Sequence, residues 1–165
     1  MPPILETASA RWNLVSSETP LDQFPEPNLF ESLMREARYA QDNAYAPYSE
    51  FQVGAALVIG GRIYRGANVE NASYGATMCA ERTALFNGVS DGERQLTLLA
   101  ITTSAEPLSP IESRSPCGLC RQVMSEFTTS DALVLLDAGD ENGQLVGDII
   151  PFSVLFPFQF KLGGE

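Results

Sequence analysis

The sequence has no histidine among its 165 residues and only three cysteines, Cys79, Cys117 and Cys120. Without histidine, any metal site must be built from sulfur and oxygen ligands. Three thiols cannot pair off completely, and they are too few for a disulfide-stapled secreted domain. Basic residues are scarce: 10 Lys and Arg stand against 21 Asp and Glu, a net charge of −11. A surface this negative repels phosphate backbones, so no nucleic-acid partner is expected. Long apolar runs are missing too. Val53 to Ile59 is typical of the longest, far short of the roughly 20 residues of a membrane span, so no membrane partner is expected either. The N-terminus, MPPILETASARW, has no charged segment followed by an apolar run. With free thiols, this points to a cytoplasmic location.

The length suits one domain and is short for two. Residues 1–27 contain several prolines and little periodicity, and read as an N-terminal extension ordered by packing on the body or on another subunit. Residues 28–165 read as the body of the domain. Asn28 with Glu31 resembles a capping box, and Leu29, Leu33, Ala37 and Ala40 then recur at helical spacing, so a helix is expected to end before Pro47. Phe51 to Ile59, Gly60-Gly61 and Arg62 to Asn68 form a β-hairpin pattern. Next come a helix at Met78 to Val89, a strand at Leu96 to Thr103, and a proline- and serine-bearing loop to Ser115. A helix from Cys117 to Phe127 and strands at Ala132 to Leu136 and Leu145 to Ile150 complete the body, and an aromatic tail follows. Helices interleaved with buried strands imply an α/β fold with helices on both faces of one sheet.

The chemistry concentrates in Cys79-Ala80-Glu81 and Pro116-Cys117-Gly118-Leu119-Cys120. Two cysteines three positions apart in a first helical turn aim both sulfurs at one point, and a helix N-terminus favours their thiolate form. Cys79 begins another predicted helix, so both helix ends can point at one ion. Three thiolates then leave a fourth zinc position. A carboxylate such as that of Glu81 could close it, giving a structural site. Alternatively the position stays open for water, as in catalytic zinc, with Glu81 as the proton shuttle. Three thiolates and Zn²⁺ sum to −1, and a cation beside the sulfurs offsets that excess; Arg82 and Arg121 each directly follow a motif.

The two motifs match the three-cysteine form of the zinc deaminase pattern, in which cysteines replace the histidine of H-x-E…P-C-x-x-C. Tyr45 to Leu57 (YAPYSEFQVGAAL) and Asn68 to Tyr74 (NVENASY) narrow the likeness. From about Leu29 to Leu162 the chain resembles the small, homotetrameric cytidine deaminases that act on free nucleosides. The resemblance implies a three-layer α/β/α sandwich with a central mixed five-stranded sheet, one Zn²⁺ per chain and a role in pyrimidine salvage. It implies that Cys79, Cys117 and Cys120 hold zinc and that Glu81 carries protons from water to the base and then to the leaving amine. The Ala80 N–H would hold the base carbonyl, the Ser115 carbonyl would meet the departing amino group, and Phe51 would pack on the base. Asn68 and Glu70 would grip the ribose hydroxyls, Arg82 would bind ligand sulfurs, and Phe160 would reach a neighbouring subunit's site with Tyr74 near the subunit contact. Blasticidin-type deaminases share the zinc pattern but not Asn68-Val69-Glu70-Asn71. Polynucleotide deaminases need a basic groove, and a non-catalytic zinc-stapled protein has no use for Glu81.

Overall fold

The computed structural model describes residues 3–24, 26 and 28–163; the other positions of the extension, Met1, Pro2, Pro25 and Pro27, lie outside the described residues. A mixed sheet runs through the molecule in the order β1-β2-β7-β6-β5-β3-β4. Its strands are β1 (Ile4–Glu6), β2 (Ala10–Leu14), β3 (Val53–Ile59), β4 (Arg62–Ala67), β5 (Leu96–Thr103), β6 (Thr128–Glu141) and β7 (Gln144–Pro151). The helices are α1 (Asn28–Gln41), α2 (Ala80–Ser90), α3 (Gly118–Ser125) and the short α4 (Phe152–Leu155). Among the described residues no helix is long and apolar enough to cross a membrane.

Strand periodicity divides the core. Side chains alternate across a strand, so Ala55, Leu57, Leu99, Ile101, Val134 and Leu136 face one way and pack with Ala84, Leu85, Cys120 and Met124 of α2 and α3. Ala56, Leu98, Ala100, Leu133 and Leu135 face the other way and pack with Phe30, Leu33, Met34 and Ala37 of α1. Burial on both faces explains why β5 and β6 read as nearly continuous apolar runs. The β3–β4 hairpin turns at Gly60 and Gly61, both with positive φ (58° and 77°), as a two-residue turn requires. At Gly66 on β4 the main chain of α2 comes so close that an added Cβ would lie 2.4 Å from the Ala84 nitrogen. That contact sets the helix carrying Glu81 directly on the sheet.

The expectation of five strands is corrected to seven, and both additions come from the extension. Strand β2 joins β7 in parallel, from Ala10 opposite Leu145 to Leu14 opposite Ile149, and β1 pairs antiparallel to β2. Ala10, Trp12 and Leu14 point into the α1 core, a period-2 signal too short to stand out beside the prolines. Trp12 is fully buried and meets Phe30 edge-on, with ring centroids 6.1 Å apart. The capping-box reading of Glu31 is corrected as well. Its buried carboxylate accepts hydrogen bonds from the Thr7 and Ser9 hydroxyls, which ties α1 to the β1–β2 turn.

Trp12→Ala removes the largest side chain of this added edge. It should destabilise the fold by about 3–5 kcal/mol, the range for burying and then deleting an aromatic. Urea unfolding measures this, and a loss below about 1 kcal/mol would show that the added strands carry little of the core's stability.

Candidate metal and active site

Cys79 and Cys117 occupy equivalent places, each the residue immediately before a helix, α2 and α3 respectively. Such positions usually hold a side chain that hydrogen-bonds back to the helix. Here neither side chain caps its helix; the sulfurs turn toward each other instead. Cys79 Sγ lies 3.9 Å from Cys117 Sγ, and Cys120, in the first turn of α3, lies 3.6 Å from Cys117. All three sulfurs fall within 4.8 Å of one another, and all three thiols are free. Tetrahedral zinc with Zn–S bonds of about 2.3 Å holds its sulfurs about 3.8 Å apart, so the three thiols fit a single zinc ion.

The cluster's charge centres on Cys79. The Cys120 thiol, hydrogen-bonded to Cys79, and then the Arg82 guanidinium hold the Cys79 thiol down at about 5. Cys120, which keeps its proton for Cys79 and is buried, is pushed up. Arg82 Nη2 reaches Cys79 Sγ at 3.4 Å, placing a cation against the sulfurs. Glu81 sits one residue inside α2, is 4% exposed, and is pushed up to about 7 by burial. A cation held by the sulfurs acts in the opposite sense on this carboxyl.

A cavity of about 240 Å³ opens beside the sulfurs, and Phe51, Asn68, Glu70, Cys79, Glu81, Ser115 and Cys117 all contribute to its wall. Ala80 opens α2, so its N–H is one of those with no partner inside the helix. In the same wall, Glu70 accepts hydrogen bonds from the Ser49 hydroxyl and from the Tyr48 (2.9 Å) and Ser49 (3.2 Å) amides, which hold its carboxyl below the usual range. The Asn68 amide clips the start of β3, donating to Phe51 O at 2.8 Å and accepting from Val53 N–H at 2.9 Å.

Arg121 and the two residues expected at a subunit contact lie outside the cavity wall. Arg121 does not meet a sulfur: it donates to Pro116 O, Leu155 O and Ser115 Oγ, and so braces the loop that leads to Cys117. Tyr74 is 81% exposed and lines a small depression next to the cavity with Tyr48, Glu70 and Thr77. Phe160 has an exposed ring, and its main chain is held by Gln122 of α3. Ser49 and Arg114 border the cavity without having been singled out by sequence. The charge of Arg114, three residues before Cys117, was the available signal.

A chain with all three cysteines should hold one zinc through dialysis, whereas Cys117→Ala should hold none, because two thiols make an incomplete site. Elemental analysis reads this directly. Full zinc content in the variant would show that the ion binds elsewhere.

Comparisons with known proteins agree with the geometry. The family model described as "Cytidine and deoxycytidylate deaminase zinc-binding region" matches residues 27–136. A cytidine deaminase of Halalkalibacterium halodurans is 47% identical over 133 residues, covering 79% of this chain and 92% of the relative. One from Sporosarcina psychrophila is 45% identical, covering 73% and 88%. Among solved structures, cytidine deaminase from Burkholderia pseudomallei superimposes with a TM-score of 0.66 at 39% identity, covering 79% of this chain and 98% of that one. The enzyme from Mycobacterium tuberculosis gives a TM-score of 0.63 at 34% identity, covering 81% and 98%. With a zinc-binding match across two motifs and three converging thiols, the chain belongs to the cytidine and deoxycytidylate deaminase family.

Proposed function

We propose that the protein hydrolyses free cytidine and 2′-deoxycytidine to uridine and 2′-deoxyuridine, releasing ammonia. The observation that carries this reading is one cavity whose wall holds both a buried carboxyl, Glu81, beside the sulfurs and a charged, anchored carboxylate, Glu70. The first suits proton transfer at a base and the second suits a sugar hydroxyl.

When bound, the zinc supplies a water activated for attack near neutral pH. Glu81 would carry a proton from the attacking water to N3 of the base, which makes C4 electrophilic. The same carboxylate then moves the hydroxyl proton to the amino group, the C4–N bond breaks, and ammonia leaves. The Ala80 N–H holds the base carbonyl, the Ser115 carbonyl accepts from the amino group, and Phe51 packs on the ring. Glu70 accepts from a ribose hydroxyl. Asn68 keeps one amide hydrogen and one lone pair beyond its bonds to Phe51 and Val53, enough for a second sugar contact. Arg82 offsets the negative charge of three thiolates on one divalent ion.

The catalytic domain spans residues 28–165 with the extension at 1–27, and the enzyme works as a cytoplasmic homotetramer in pyrimidine salvage. Exposed Tyr74 and Phe160 supply aromatic contacts to a neighbouring subunit's site.

The test is loss of absorbance on mixing the zinc-loaded protein with cytidine, 2′-deoxycytidine, CMP, adenosine and blasticidin S in parallel. Rapid turnover of the two free cytosine nucleosides with little of CMP is the expected result. No turnover of cytidine by a zinc-replete sample would overturn the reading.

A further inference from the structure

The loop that delivers Cys117 carries a charge into the interior. Arg114 is 6% exposed, and each edge of its guanidinium is engaged. Nε donates to Ser109 O at 2.7 Å, Nη1 to Asp137 O on β6 at 3.0 Å, and Nη2 to the Asp148 carboxylate on β7 at 2.8 Å. Asp148, itself buried, takes a second hydrogen bond from Asn13 Nδ2 at 3.1 Å. Asn13 stands directly opposite Asp148 in the parallel β2–β7 ladder. An unbroken polar run therefore leads from the added N-terminal strand to the residue before Ser115-Pro116-Cys117.

A buried ion pair is weak as a source of stability, because removing two charges from water costs about as much as their attraction returns. An apolar side chain could fill the same space. It could not fix the loop in three directions at once, as a planar guanidinium does. The place where this happens matters: Arg114 borders the same cavity as Cys79, Glu81, Ser115 and Cys117. Asn13 and Asp148 both lie outside the stretch matched by the family model, residues 27–136.

We propose that Arg114 is a positioning residue for the zinc site, held by Asp148 and through it by Asn13, so that the N-terminal strand supports the placement of Cys117. This rests on Cys117 being a zinc ligand and not on the identity of the substrate.

The test uses the full-length zinc-loaded protein and the variants Arg114→Met, Asn13→Ala and Arg11→Ala. Arg11 is on the same strand but pairs with Glu141 at the surface, so it controls for disturbance of the strand itself. The readouts are the rate of zinc release to an excess of chromogenic chelator, kcat and KM for cytidine, and the thermal midpoint. Arg114→Met should release zinc about 10–100-fold faster and lose kcat in parallel, the range seen when partners that orient metal ligands are removed. Asn13→Ala should move both in the same direction by less, and Arg11→Ala should move neither. Wild-type zinc release in Arg114→Met, even with a lowered midpoint, overturns the proposal. Wild-type release in Asn13→Ala alone overturns the link to the N-terminal strand. If Arg114→Met does not fold, Arg114→Lys decides: one ammonium nitrogen cannot span the three separated acceptors that Nε, Nη1 and Nη2 reach, so release should again quicken, and unchanged release contradicts the proposal. Zinc release needs no substrate. A wild-type protein that holds zinc yet leaves cytidine intact would therefore count against the function and not against this role for Arg114.

Discussion

The site depends on two helix N-termini meeting at three sulfurs. Each helix alone offers uncapped N–H groups and a partial positive charge. Brought together, they set the three sulfurs at spacings that suit a single divalent ion. The rest of the fold serves this meeting. The close approach at Gly66 seats α2 on β4. The Cys117 loop is braced from one side by Arg121 and from the other by Arg114. A shift in either helix separates the sulfurs, and the charge that Arg82 balances is then no longer in one place.

The polar residues of the cavity wall follow a different logic. Glu70 and Asn68 are fixed by neighbours already present in the chain: Ser49 and the Tyr48 amide for the carboxylate, and Phe51 and Val53 for the amide. Orientation set in advance spares a ligand from ordering these groups when it binds. It also explains why the stretch before β3 belongs to the site although little of it is regular structure.

Much of this was legible in the sequence because the signals are local. The Gly60-Gly61 hairpin, the apolar runs of β5 and β6, and the cysteines before two helices each lie within a few residues. The misreadings concern partners far apart along the chain. The alternation of Ala10, Trp12 and Leu14 becomes a strand only because β7 lies beside it, and β7 begins at Gln144. Glu31 looked like a cap because its true partners, Thr7 and Ser9, sit in a turn that was not foreseen. Arg121 follows a zinc motif yet donates to the Pro116 and Leu155 carbonyls and the Ser115 hydroxyl, with no bond to a sulfur. Arg114 carries no local signal because its acceptors on β6 and β7 lie far along the chain.

In the proposed reaction Glu81 moves protons and neither binds the metal nor supports the fold. The most direct measurement is zinc content, unfolding midpoint and cytidine turnover on one preparation of Glu81→Ala. The account predicts one zinc per chain, a midpoint no lower than wild type because a buried carboxyl has been removed, and turnover reduced by at least about 10²–10⁴-fold. Near-normal turnover would contradict the proton-transfer role. Loss of zinc together with activity would show that Glu81 closes the metal's shell, making the site structural.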